Sequence, residues 1–156
     1  MAYGIENMLD IDMVLADVNP SCKKQLLQLL AEQAATKTGA DKRKIFDVLL
    51  ERERLGSTGV GNGIAIPHGK LPELNKMFAI FARLRHPVKY ESVDDQPIDL
   101  VFLLLAPETD GADHLKALSR VARVLRNNNL VDEIRNTADS AAIFSLLTQI
   151  PAQEAA

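Results

Sequence analysis

Seven consecutive residues, Leu100 to Ala106, are apolar, and this run restricts the possible folds more than any other stretch of the chain. Strand side chains alternate between two faces, so a strand without polar alternation must be covered on both of them. Pro97 and Pro107 bound the segment Ile98 to Ala106 and favour a central strand over a helix. The run is about a third of the roughly 20 apolar residues that a membrane-spanning helix needs, so no membrane insertion is expected.

The remainder of the chain supplies the covering layers. Ser21 to Thr36 is predicted as a helix, with Asn19 or Ser21 as cap, Pro20 in its first turn and Leu26, Leu27, Leu29, Leu30 and Ala34 as its apolar face. Gly39 ends it. Asp41 caps a second helix running to about Arg54, with Ile45, Val48 and Leu49 at helical spacing and Gly56 as a stop. Gly111 to about Arg126 is a third, with Leu115, Leu118, Val121, Ala122 and Leu125 on one side, followed by Leu130 to Arg135 and Ser140 to Leu147. Met77 to Arg85 and the short Ile64 to Ile66 join Ile98 to Ala106 as strands. Helices outside and strands between give an α/β sandwich. The 156 residues contain no repeat or linker, so residues 1–150 are expected as one domain and 151–156 as a frayed tail.

Charge and cysteine content remove several functional classes. Lys and Arg number 18 against 21 Asp and Glu, a net charge of -3, so no basic surplus exists for gripping nucleic acid. The N-terminus carries Glu6, Asp10 and Asp12 in place of a positively charged start, which predicts a cytoplasmic protein without a secretory signal. The single Cys22 has no internal disulfide partner and is expected as a small packed residue. Three histidines, at 68, 86 and 114, have no close helical pairing and form no HExxH motif, so no metal site is expected. A hydrolytic triad from Ser57 and Asp113 would have to be assumed from the fold.

The segment Gly56 to Gly69, GSTGVGNGIAIPHG, holds five glycines in fourteen residues. Glycines let backbone N–H groups approach a phosphate, although a tight connection needing positive φ has the same composition. The nucleotide fingerprints fail, because both a P-loop and a dinucleotide loop need Gly where Ile64 stands. His68 follows Pro67 and precedes Gly69, a position that presents an imidazole at a sheet edge. Such a ring is either a hydrogen-bonded structural residue or a nucleophile that accepts a phosphoryl group without a metal. Arg52 lies four residues after Val48 on the apolar stripe. It either lays its stem on the core and sends its head to water, or offers its fork of donors to an anion. His114 falls four before Leu118 in a first helical turn, where the helix dipole disfavours the imidazolium; a core histidine would occupy the same position. His86, beside Pro87 in a polar turn, is expected at the surface.

These residues carry a resemblance. RERLGSTGVGNGIAIPHGK, from Arg52 to Lys70, resembles the phosphoacceptor region of enzyme IIA proteins of the mannitol and fructose class of the bacterial sugar phosphotransferase system. NGIAIPHGK is most similar to the nitrogen-related, regulatory branch, and the PIDLVFLLLAP and DHLKALSRVARVLRN blocks extend the similarity along nearly the whole domain. The resemblance implies a three-layer α/β sandwich with a mixed, mainly five-stranded sheet. It implies phosphorylation of His68 at the ring nitrogen farther from the backbone, with Arg52 and His114 as catalytic partners. Ser57, Thr58, Gly59, Gly61, Asn62 and Gly69 are the candidate phosphate-binding loop. The implied donor is a phosphorylated HPr-like carrier, with no cofactor and with regulatory target proteins downstream. A separate-chain sugar IIA that passes phosphate to a IIB protein, and a binding module that has lost phosphotransfer, are the alternatives.

Overall fold

The structure, a computed structural model, describes residues 4–109 and 111–149. The run identified above forms β6 (Ile98–Pro107), with Leu100 to Ala106 all inaccessible to solvent. Because neighbouring side chains on a strand face opposite ways, burial of every one of them requires cover on both sheet faces. Along one edge of β6 lies β5 (Phe78–Val88), antiparallel, with Phe81 opposite Phe102. β1 (Val14–Val18) adds to β5 in parallel.

The other edge of β6 is shared by two short strands in series. β3 (Ile64–Ala65) pairs in parallel at Leu100 and Val101, and β4 (His68–Leu71) pairs in parallel from Leu104 to Pro107. β2 (Gly59–Gly61) runs antiparallel outside β3. The mixed sheet therefore has six strands where the resemblance implied mainly five. Between β3 and β4 stand Ile66, whose N–H turns to the Thr58 carbonyl at 2.9 Å, and Pro67, which has no N–H to donate.

Among the described residues, five α-helices accompany the sheet: α1 (Lys23–Thr38), α2 (Lys42–Arg54), α3 (Gly111–Val124), α4 (Asn128–Arg135) and α5 (Ser140–Thr148). The predicted stop at Gly39 holds, with φ of 80° and its N–H on the Ala35 carbonyl. The Asp41 cap holds too, its carboxylate accepting from the Arg43 N–H. Four expectations change. The cap of α1 is Cys22 and not Asn19 or Ser21, because the Ser21 hydroxyl and N–H both donate to the Gln25 side chain. Placed at that helix end, Cys22 is exposed and not packed. On α3 the buried residues are His114, Ala117, Val121 and Val124, so Leu115 points to solvent. His86 is exposed as expected, but within β5 and not in a turn, with its Nδ1 2.9 Å from the Asn19 side chain. The expected tail 151–156 lies outside the described residues.

Candidate functional site

His68 opens β4 beside Leu104, and α2 lies directly on this strand. The close approach depends on Gly69: a Cβ built there would collide with Cγ1 of Val48 on α2. Gly69 thus brings the helix close enough for the side chain one turn beyond Val48 to reach the next strand position. That side chain is Arg52. Its Nε donates to Nε2 of His68 at 3.2 Å, and its Nη1 donates to the Gly56 carbonyl at 2.9 Å.

The second ring nitrogen of His68, Nδ1, lies 2.9 Å from the Ile66 carbonyl. The chemistry of the two partners assigns the tautomer. Arginine has only donors, so Nε2 accepts; a carbonyl only accepts, so Nδ1 carries the proton. The ring is neutral, with the lone pair of Nε2 directed at Arg52. Burial lowers the His68 pKa below its ordinary value; the Ile66 carbonyl opposes that shift and the Arg52 cation adds to it. His114, buried in the first turn of α3, stacks edge-on against this ring, with centroids 5.6 Å apart and planes at 76°. The three residues singled out in the sequence are thus brought together from β4, α2 and α3.

The glycine-rich segment divides differently from the expectation. Thr58 is buried, with its N–H donating to Glu53 Oε1 at 3.1 Å and its hydroxyl to Glu53 Oε2. The Ser57 hydroxyl donates to the Tyr90 carbonyl and accepts from the Gly59 N–H. Gly61 and Asn62 belong to the far turn. The Asn62 N–H donates to Asp94, its carbonyl accepts from Arg135, and the register puts this turn at the Leu100 end of β6. His68 sits four residues along, about 13 Å of extended strand away. Of the expected loop Ser57, Thr58, Gly59, Gly61, Asn62 and Gly69, the N–H groups of Thr58, Gly59 and Asn62 are engaged by Glu53, Ser57 and Asp94, and Gly69 lies against Val48 of α2.

Two residues near the site escaped the sequence reading. Glu53 is buried in α2, and its signal was the four-residue stride Ile45, Leu49, Glu53, which places a carboxylate on the apolar stripe. Tyr90 is fully buried, with its hydroxyl donating to Glu53 Oε2 at 3.1 Å; no local periodicity marked it. Leu55 and Leu115, next in sequence to Gly56 and His114, are exposed apolar side chains, 85% and 70% accessible. Among the described residues, no group of three or more His, Cys, Asp or Glu side chains is placed to hold a metal ion. No helix among them is long and apolar enough to cross a membrane.

Fold and site together define an α/β domain that presents a neutral, arginine-braced imidazole at the opening of a strand. The family model described as "Phosphoenolpyruvate-dependent sugar phosphotransferase system, EIIA 2" matches residues 7–150, and the chain belongs to this family. A nitrogen regulatory protein of Bradyrhizobium diazoefficiens is 52% identical over 151 residues, covering 97% of this chain and 99% of that protein. The nitrogen regulatory protein of Escherichia coli K12 is 34% identical over 145 residues, 92% of this chain and 89% of its own length. Among solved structures, the nitrogen regulatory protein IIA-Ntr from Neisseria meningitidis superposes with a TM-score of 0.88 at 29% identity, covering 92% of this chain and 99% of that one.

Proposed function

We propose that this protein is a cytoplasmic histidine phosphocarrier of the nitrogen-related phosphotransferase system, accepting its phosphoryl group on Nε2 of His68 and acting as a phosphorylation-dependent regulator. The observation that carries this reading is the bracing of His68. With Nδ1–H on the Ile66 carbonyl and Nε2 facing Arg52, the nitrogen farther from the backbone holds the lone pair. In transfer from a phosphorylated HPr-like carrier, Nε2 forms the new N–P bond as the donor's N–P bond breaks in line, and the donor imidazole keeps the electron pair of the broken bond. The transition state is loose, so positioning and charge stabilisation supply most of the catalysis.

Arg52 exchanges its bond to Nε2 for one to the transferring oxygens, and its Nη1 bond to Gly56 keeps the guanidinium in place. The edge-on ring of His114 walls the other side of the phosphoryl position. We assign the exposed Leu55 and Leu115, next in sequence to Gly56 and His114, as an apolar rim on which the carrier docks. Phosphorylation adds charge and three acceptor oxygens in the middle of that rim, so target proteins meet a different surface before and after transfer. The names of the two relatives above support the regulatory branch over a sugar-specific IIA.

Intact-mass measurement at mildly alkaline pH, after incubation with phosphoenolpyruvate, enzyme I and the HPr-like carrier, tests the reading. One added phosphoryl group, lost in acid and absent from His68→Ala, is expected. Its absence with active enzyme I and carrier would leave a binding module of the same fold. Onward loss of the label to a IIB protein would instead favour the sugar-specific reading.

A further inference from the structure

Both contacts that hold the His68 ring lead back to one short segment. On the Nδ1 side, the Ile66 carbonyl accepts from the ring, and the Ile66 N–H donates to the Thr58 carbonyl at 2.9 Å. On the Nε2 side, Arg52 is held by the Gly56 carbonyl, and the Gly56 N–H returns to the Glu53 carbonyl at 3.1 Å. Thr58 is in turn clasped by the side chain of Glu53, while Gly56 is tied to the backbone of that same glutamate. The Glu53 carboxylate, 3% exposed, accepts from both the N–H and the hydroxyl of Thr58, from the Tyr90 hydroxyl, and from Lys23 at 3.0 Å.

A buried carboxylate is costly unless its acceptor sites are used, and removing it alone strands the donors that face it. Here four donors converge on it from α1, the 56–58 segment and Tyr90. Lys23 also sits 4.3 Å above the Tyr90 ring, and burial together with the Glu53 charge pushes the Tyr90 phenol far above its usual pKa, so it stays a donor. Leu at position 53 would continue the apolar stripe, but it would leave the Thr58 N–H and hydroxyl, the Tyr90 hydroxyl and Lys23 without this acceptor.

We propose that Glu53 and Thr58 are positioning residues for phosphoryl transfer: their buried clasp fixes the segment from which both ring contacts of His68 are hung, and so holds the Nε2 lone pair in one tautomer and one direction. The proposal rests on the reading of His68 as the phosphoacceptor. It assigns the Thr58 hydroxyl to the interior and not to the phosphate.

Thr58→Val removes the hydroxyl at nearly constant shape, and Thr58→Ser keeps the hydroxyl. Two readouts are taken: the rate of phosphorylation by the phosphorylated carrier, and the nitrogen-15 chemical shifts of the unphosphorylated His68 ring. Misplacement by a fraction of an ångström slows transfer, so Thr58→Val is expected to lose about tenfold in rate. Its ring shifts should move from a single Nδ1–H tautomer toward a mixture, and Thr58→Ser should recover both. Glu53→Gln in the Thr58→Val background should add little, since the two act as one unit.

A wild-type rate with an unchanged tautomer in Thr58→Val would overturn the proposal, as would equal losses in Thr58→Val and Thr58→Ser. If Thr58→Val does not fold, Tyr90→Phe, which withdraws one donor from Glu53 and keeps the ring, decides in its place: it must slow transfer and mix the tautomers, and normal behaviour sinks the idea. Should the wild-type protein take no phosphoryl group, the phosphoacceptor reading falls, while the ring shifts still decide whether the clasp sets the tautomer.

Discussion

At the scale of single residues, the site is a set of donors and acceptors whose chemistry leaves His68 one arrangement. His68→Ala should abolish phosphorylation and keep the melting temperature close to wild type, because the half-buried ring makes only two hydrogen bonds; a collapse in thermal melting would mean that the ring is structural. Arg52→Ala should slow transfer by about a hundredfold while circular dichroism stays unchanged, the magnitude seen when one stabilising donor is lost. The pH dependence follows from the lowered His68 pKa. The neutral ring is the nucleophile, so the acid limb of the rate profile should lie below the ordinary histidine value of about 6.5. In Arg52→Ala, which removes one of the lowering causes, that limb should move upward. Stability has the matching sign: as pH falls through about 6.5 the unfolded chain takes up this proton before the folded one does, so His68 reduces stability on the acid side. Melting temperatures of wild type and His68→Ala across that range should converge near neutrality and separate below it.

At the scale of elements, the closeness of α2 to β4 is what converts a helix residue and a strand residue into a pair. Gly69 sets that distance, since any side chain there meets Val48. Gly69→Ala should therefore cost about 1–3 kcal/mol by overpacking. It should also slow phosphorylation, because Arg52 moves with the helix. Combining it with Val48→Ala, which removes the colliding methyl, should restore much of the rate, and chemical denaturation together with transfer assays reads both effects. If the double variant transfers no better than Gly69→Ala alone, the glycine is not acting through helix spacing. The break at Pro67 belongs to the same scale. It divides what would be one strand into β3 and β4, frees the Ile66 carbonyl for the His68 ring and lets β6 carry both pieces on one edge.

At the scale of the whole molecule, the sheet separates two ends that the linear chain holds only six residues apart. At the end away from His68, Arg135 at the close of α4 donates to both oxygens of Asp99 and to the Asn62 carbonyl, while Arg83 donates to the Arg135 carbonyl at 2.8 Å. Arg135→Ala should cost about 1–3 kcal/mol in stability, as removal of hydrogen bonds to a charged group does. The phosphorylation rate should be unaffected, and a parallel loss of rate would show that the two ends are coupled. The existence of the helices, the Gly39 and Asp41 ends and the central position of β6 were legible in local pattern, because burial periodicity, caps and proline stops are written in neighbouring residues. His68, Arg52 and His114 stood out in that pattern, but their proposed roles came from the family resemblance. Glu53 was half legible, as a charge on an apolar stripe; Tyr90 was not, since it enters the interior from an irregular segment. The α/β class, the strand at its centre and the family were thus determined by sequence alone. Only the tertiary structure decided that Thr58 faces Glu53, that Gly69 serves helix packing and that Asn62 lies at the opposite end from His68. The physical reason is that spacing along a chain sets which face a side chain takes, while sheet register and helix approach set what that face meets.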